Sequence, residues 1–300
     1  MRIDVVMPTY NSNKGIFPLV LESIRRYVPL NRLIVVDRYS SDGTVELIKE
    51  KFPDALIIQT SASLGYARYI GIKFVETEWF AFIDSDVIVL PQWFRVLSGF
   101  MKHERIGAVE GSYIQLADIL YTQEFRLIID IYKYINNSIL DNQVSLIKYK
   151  LPLSKMNILN ILKNGLTDVR PIFNNSLIRT EAVKDWVPNP YLNAYEDLAV
   201  AQHIIRRGYY WLTINIPLVL HGNPPRSNLN KLRASIRKGL WEGAGIKYTG
   251  IPRDFVALYT VTRLLGALYR LVRNKDPFNL AMRIAFLLSL PSNKYLVVKR

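Results

Sequence analysis

Asp84 and Asp86 lie in the middle of an apolar run, WFAFIDSDVIVL, at residues 79–90. Burying a charge is expensive unless something answers it. On an extended chain residues i and i+2 point to one side, so the spacing predicts that the two carboxylates converge. Converging carboxylates repel, and one pKa rises unless a cation sits between them. Mg2+ or Mn2+ takes oxygen ligands, uses one or two carboxylates, and lets phosphate and water complete its shell. The pair therefore points to a metal held together with a phosphate-bearing ligand. A solvated turn after a strand is the plainer alternative.

The elements around the pair alternate. Ile3–Met7 reads as a strand and Gly15–Tyr27 as a helix; Leu33–Val36 as a strand, with a helix opening near Ser41-Asp42-Gly43-Thr44; Ala55–Gln59 as a strand and Gly65–Val75 as a helix. Trp79–Ile83 is the fourth strand, and Pro91 suits the first turn of a following helix. This pattern predicts an α/β fold, a mostly parallel sheet with helices on both faces. Ligands of such sheets bind beyond the carboxyl ends of the strands. The polar residues gather there: Thr9, Tyr10 and Asn11, then Asp37, then Ser61 to Ser63, then Asp84 and Asp86. Residues 117–165 break the alternation with apolar positions at helical spacing and read as an inserted, mostly helical segment, either core packing or a lid.

Six short motifs in this order resemble the family 2 glycosyltransferases, inverting enzymes of the GT-A fold. They are Pro8-Thr9-Tyr10-Asn11; Val35-Val36-Asp37 with Ser40, Asp42, Gly43 and Thr44; Leu64-Gly65-Tyr66-Ala67-Arg68; Ile83-Asp84-Ser85-Asp86; Tyr195-Glu196-Asp197-Leu198 with Arg206-Arg207-Gly208-Tyr209; and Val219-Leu220-His221. The resemblance covers roughly residues 1–222. It implies a nucleotide-diphospho-sugar donor, linked to UDP or GDP, bound by Pro8, Thr9, Tyr10, Asn11, Asp37, Gly65, Arg68, Asp84 and Ser85. It implies Mg2+ or Mn2+ on Asp86 and, through water, Asp84, with His221 near the metal or diphosphate. Asp197 matches the family's catalytic base, and Glu196 beside it would orient the acceptor or the loop. Both also suit a plain role at a helix N-terminus. Arg38 stands where the family usually carries a second aspartate, which leaves the nucleotide open. Arg68 would bind the diphosphate or hold Asp37. Arg170, Asn174 and Asn175 would line the acceptor side.

The charge is uneven. Residues 1–225 hold 24 Lys and Arg against 22 Asp and Glu, and residues 226–300 hold 15 against 3. The boundary divides a catalytic domain, 1–225, from a basic helical tail, 226–300. Phe255–Arg273 is apolar with arginines at 263, 270 and 273, and 279–290 repeats the theme around Arg283. Apolar faces with arginine stripes suit a helix lying in an anionic membrane interface. A hairpin folded onto the catalytic domain is the alternative. No nucleic-acid motif accompanies the charge, so no nucleic-acid partner is expected. Arg237, Lys238 and Trp241 lie between the two regions, and Lys238 joins the candidate diphosphate contacts. There is no cysteine, which excludes thiol chemistry and disulfides. No window reaches about 18 uninterrupted apolar residues. These readings place the chain in the cytoplasm, peripheral on the membrane face, acting on a glycan or lipid-linked acceptor through its hydroxyl or phosphate. A sugar nucleotidyltransferase and a non-catalytic nucleotide-sugar binder are the rival functions.

Overall fold

The computed structural model describes residues 1–116, 147–153, 169–190, 192–222, 228–249 and 251–291. The helical part of the expected insertion, at 117–146 and 154–165, lies outside the described residues.

Nine strands form one sheet. β1 (Ile3–Thr9), β2 (Leu30–Asp37), β3 (Leu56–Gln59) and β4 (Trp79–Ile83) pair in parallel in the order β3-β2-β1-β4. The order fits the strand–helix–strand pattern, because α1 (Phe17–Tyr27), α2 (Thr44–Lys51) and α3 (Leu64–Ile72) are the crossovers. The rest of the sheet is mixed. β8 (Asn175–Arg179) lies antiparallel to β4 and to β6 (Ile106–Gln115), and β6 runs parallel to β9 (Tyr210–His221). β5 (Val87–Val89) and β7 (Ile147–Tyr149) both pair antiparallel with β9. Direction therefore reverses at the β4–β8 seam.

The strands are apolar throughout because both faces are covered. Alternate residues divide between two cores: Trp79, Ala81 and Ile83 join the one packed by α1, and Phe80 and Phe82 join the other. α1 presents Phe17, Val20, Leu21 and Ile24 to the first core. α5 (Glu196–Arg206) presents Val200, Ala201 and Ile204 to the second. At roughly 1.5–3 kcal/mol per buried large apolar side chain, these rows dominate the stabilisation of the sheet.

The apolar run at 79–90 departs from the expected extended chain. β4 ends at Ile83, and Asp84 to Val87 form a tight turn in which Val87 N donates to Asp84 O at 3.2 Å. The two aspartates thus sit on a turn and not in strand alternation, Asp84 against Arg68 and Asp86 against His221. β5 follows, so the next helix, α4 (Trp93–Ser98), starts two residues after Pro91.

Among the described residues three helices follow β9: α6 (Asn228–Gly245), α7 (Arg253–Asn274) and α8 (Pro277–Ser289). Gly239 and Gly243 let α6 and α8 touch. A Cβ at 239 would lie 2.1 Å from Met282 O, and one at 243 would lie 2.2 Å from Phe286 O. A third core joins Tyr195 and Leu198 at the start of α5 to Ile246, Tyr259 and Phe286. The C-terminal helices thus pack against the start of α5. Arg283, expected in an outward arginine stripe, turns inward instead, with Nη1 3.7 Å from buried Glu242 on α6. A buried guanidinium needs such a partner. α7 keeps Val261, Leu265, Leu268 and Val272 exposed along one face, and α8 keeps Ile284, Leu287 and Leu288. α7 is long and apolar enough to cross a membrane by length and composition alone.

Candidate active site

The four parallel strands end in the expected polar rim. Thr9 and Asp37 are neighbours in register on β1 and β2. Thr9 Oγ1 donates to Asp37 Oδ1 at 2.8 Å. Ser40 Oγ donates to the same oxygen at 2.5 Å, while Ser40 N reaches Oδ2 at 2.8 Å and Gln59 Nε2 reaches it at 3.4 Å. Four donors on one buried carboxylate tie β1, β2 and β3 together at the rim. Asn11, at φ 47°, extends this knot: its N–H donates to Ser40 Oγ at 2.8 Å, and its Oδ1 accepts from Ser41 N at 2.9 Å. Asn is among the residues that tolerate that backbone region. Tyr10 stays exposed, with the Arg38 guanidinium 5.6 Å from its ring centre. Pro8 lies within β1 opposite Val36. Ser85, at the turn, shares a hydrogen bond of 2.9 Å with Ser12, which joins the β1 loop to the Asp84–Asp86 turn.

Arg68 does not hold Asp37. It lies buried on α3, and its Nη2 donates to Asp84 Oδ1 at 2.8 Å. Its Nε stands 3.8 Å from Glu196 Oε1. The guanidinium lies 4.5 Å from the Phe173 ring centre and 5.1 Å from that of Phe82. Desolvated contacts of this kind are worth about 2 kcal/mol. Ser63 caps α3 by accepting from Tyr66 N at 3.3 Å and donates to Pro190 O at 2.6 Å. Gly65 N donates to Leu192 O at 3.0 Å, and a Cβ at Gly65 would meet Leu192 O and Glu196 Cβ at 3.1 Å each. The glycine allows α3 to approach the start of α5.

Asp86 faces His221, the last residue of β9, with Oδ2 and Nε2 3.3 Å apart. His221 Nδ1 meets the Gln115 side chain at 3.1 Å. Burial works against a charged imidazole here, but Asp86 and then Asp84 outweigh it and raise the His221 pKa. Burial also raises Asp84; Arg68 pulls it back and the charge of Asp86 pushes it further up. The strain between like charges foreseen in the sequence is therefore present.

Asp86 and His221 face each other, and Asp84 lies close enough to feel both charges; these are donors of the kind that Mg2+ or Mn2+ accepts when phosphate oxygens fill the rest of its shell. Among the described residues no group of three or more His, Cys, Asp or Glu side chains is placed to hold a metal ion.

Glu196 and Asp197 occupy the first turn of α5, after Tyr195 in the left-handed region at φ 64°. Both are buried. Asp197 Oδ2 accepts from Arg170 Nε at 2.6 Å, and Arg170 lies 4.9 Å from the Tyr195 ring centre. Burial, and then the Asp197 charge, push the Glu196 carboxyl up to about 7 against the pull of Arg68. A carboxylate at that value is suited to proton traffic near neutrality.

Arg170, expected on the acceptor side, pairs with Asp197. Asn175 does not line the acceptor side. It is fully buried, donates to Gly111 O and accepts from Gly111 N at 3.0 Å each, and so stitches β8 to β6. Lys238 lies on the tail with its ammonium 3.9 Å from Glu242, lining an open basic cleft with Lys231, Arg237, Trp241 and Phe278. Sequence reasoning missed Ser12, Gln115, Phe173 and Glu110. Glu110 carried a usable signal, a lone charge in the apolar strand IGAVEG, the same kind of signal that marked Asp84.

The family model described as glycosyl transferase family 2 matches residues 4–147. That match takes in 144 of the 300 residues, just under half of the chain. A stretch of 79 residues is 39% identical to the SPbeta prophage-derived glycosyltransferase SunS of Bacillus subtilis, covering 26% of this chain and 18% of that protein. A stretch of 109 residues is 28% identical to the poly(ribitol-phosphate) beta-N-acetylglucosaminyltransferase TarS of Staphylococcus aureus, covering 34% of this chain and 19% of that one. The matches thus span less than a fifth of the length of either relative. In three dimensions this chain resembles S. aureus TarS residues 1–349, with TM-score 0.52 and 16% identity over 96% of this chain and 92% of that one. It also resembles the glucosyl-3-phosphoglycerate synthase of Mycobacterium tuberculosis, solved with Mn2+, UDP and phosphoglyceric acid, with TM-score 0.52 and 19% identity over 84% and 80% of the two chains. At such identities the likeness is one of fold, the GT-A arrangement of a central α/β sheet with helices on its faces.

Proposed function

We propose that this chain is an inverting glycosyltransferase that moves a sugar from a UDP-linked donor to an acceptor hydroxyl. One observation carries the reading. Arg68 joins Asp84, on the side suited to a leaving diphosphate, to Glu196 beside Asp197, on the side suited to a base. Transfer with inversion needs both. Asp197 takes the proton of the acceptor hydroxyl as its oxygen attacks the anomeric carbon, and the bond from that carbon to the phosphate oxygen breaks on the opposite face. Arg170 holds Oδ2 of Asp197 at 2.6 Å and the Leu198 amide donates to Oδ1 at 2.7 Å, so the carboxylate is fixed in orientation and each oxygen keeps one lone pair for a further donor. Asp86, Asp84 and His221 would hold Mg2+ or Mn2+, which supplies Lewis-acid stabilisation of the departing diphosphate when bound. The rim of Thr9, Tyr10, Asn11 and Asp37 shapes the nucleoside end. UDP is favoured over GDP because both fold neighbours have been solved with uridine nucleotides, TarS with UDP-GlcNAc and the synthase with UDP.

The exposed apolar face of α7, with Arg270, Arg273 and Lys275 beside it, supports a second element of the reading. It would place the enzyme on an anionic cytoplasmic membrane surface and favour a lipid-linked acceptor.

The test is calorimetric binding of UDP and GDP, with and without Mn2+, to the wild type and to Asp86→Ala. Metal-dependent UDP binding, lost in the variant, supports the donor site. Binding of neither nucleotide to folded protein sinks it. Turnover then separates the rival functions. Release of UDP marks a transferase, release of pyrophosphate a nucleotidyltransferase, and binding without release a non-catalytic binder. In Asp197→Asn, UDP release should fall about 10²–10⁴-fold with UDP affinity unchanged.

A further inference from the structure

Glu110 is a fully buried carboxylate in the middle of β6. Its Oε1 accepts from Ile172 N at 2.9 Å and from Thr213 Oγ1 at 2.6 Å, and its Oε2 accepts from Phe173 N at 2.8 Å. Burial pushes this carboxyl up, while the charge of Lys150 and the three donors pull it down. A carboxylate that accepts on both oxygens from three fixed donors is a rigid anchor.

The two amides belong to the segment at 169–174, which reaches both sides of the site. Phe173 sits in the left-handed region at φ 69°, a conformation that costs a bulky residue on the order of 1–3 kcal/mol unless its surroundings impose it. There its ring packs against Phe82 and Trp211 at 5.0 and 5.7 Å and forms the floor under Arg68. The next carbonyl, Asn174 O, accepts from Asp84 N at 3.2 Å. Three residues before Phe173, Arg170 grips Asp197. One short segment thus bears on the diphosphate side through Phe173 and Asn174 and on the base side through Arg170.

We infer that Glu110 is a positioning residue for the reaction. Through the Ile172 and Phe173 amides it fixes the segment that sets the Arg68–Asp84 pair and the Arg170–Asp197 pair in one spatial relation. Glutamine at 110 offers a single acceptor oxygen and turns an NH2 toward the remaining donors. The anchor then loosens with little change in volume.

The turnover arm of the test rests on the glycosyltransferase reading; the exchange arm does not. The full chain is compared as wild type, Glu110→Gln, Arg170→Met and the double variant. Amide hydrogen exchange at 169–175, UDP affinity with Mn2+, and UDP release from a UDP-sugar are measured. Glu110→Gln should raise exchange at the 172 and 173 amides about tenfold or more. It should weaken UDP about threefold and slow release about tenfold or more. In the Arg170→Met background the same change should slow release less than about threefold, because the two residues act through one segment. Unchanged exchange in Glu110→Gln overturns the inference. So does raised exchange with wild-type affinity and turnover, or a full multiplicative loss in the double variant. Should Glu110→Gln fail to fold, Thr213→Val removes one donor only, and wild-type exchange together with wild-type UDP affinity in it overturns the inference. A wild type that neither binds nor releases UDP removes the functional reading alone, and the exchange comparison still decides whether Glu110 anchors the segment.

Discussion

Arg68 Nη2 lies 2.8 Å from Asp84 Oδ1, with the guanidinium against two phenylalanine rings and its Nε and Nη1 without hydrogen-bond partners. A cation so enclosed is held in place by Asp84 on one side, by the longer 3.8 Å approach of Glu196 to its Nε, and by aromatic faces. Arg68→Met should therefore destabilise the protein by about 2 kcal/mol, less than the roughly 3–5 kcal/mol of a fully buried pair, because Asp84 keeps some contact with water. Adding Asp84→Asn should recover part of that loss, since the uncompensated carboxylate is gone, but not UDP binding. Denaturant unfolding and calorimetry on the two variants check both halves.

Glu196 gives a dependence on pH with a definite sign. Its carboxyl titrates near 4.5 when unfolded and is pushed up to about 7 in the folded chain. Its contribution to stability is full below about pH 4.5 and is lost as pH rises through 7. Glutamine at 196 does not titrate. The stability of wild type relative to Glu196→Gln should therefore decline between pH 4.5 and 7 and level off above. Unfolding curves at pH 4 to 8 measure it; a flat difference would refute the shift.

The close contact of α6 and α8 depends on absent side chains. Valine at position 243 would drive its Cβ into Phe286 O and Ser289 Oγ, both about 2 Å away. Gly243→Val should lower stability by about 1–3 kcal/mol and raise exchange along α8 while β1 to β4 stay protected.

Val272 is 84% exposed and Leu265 61%, so neither contributes much to the core. Leu265→Glu with Val272→Glu should leave the melting temperature within about 2 °C of wild type and abolish cosedimentation with anionic vesicles. Cosedimentation that survives the double variant would exclude this face as the membrane contact.

The polar rim at the strand ends is largely legible in the sequence. Thr9, Asp37 and Asp84 fall at strand ends because a parallel sheet puts every carboxyl end on one rim, and apolar runs mark those ends to within a residue or two. Trp79–Ile83 was read with its observed bounds. The turn at Asp84 was not, since Val87 to Val89 continue the apolar run and only pairing with β9 separates them. The mixed half of the sheet escaped notice for a similar reason. β6, β8 and β9 pair across long stretches of chain that carry no local signal. Arg283 looked like surface charge until Glu242, 41 positions earlier, came to face it. Phe173 had no signal at all: nothing in its side chain announces a positive φ.

The β4–β8 seam has an evolutionary consequence under the proposed reading. Residues that would recognise the nucleotide come from the first 90 positions, and those that would receive the acceptor come after position 169. The two preferences are encoded on separate stretches and can drift at different rates. Lineages could exchange acceptors while keeping one donor pocket, provided they preserve what crosses the seam: an arginine on one side and the aromatic floor that carries it on the other.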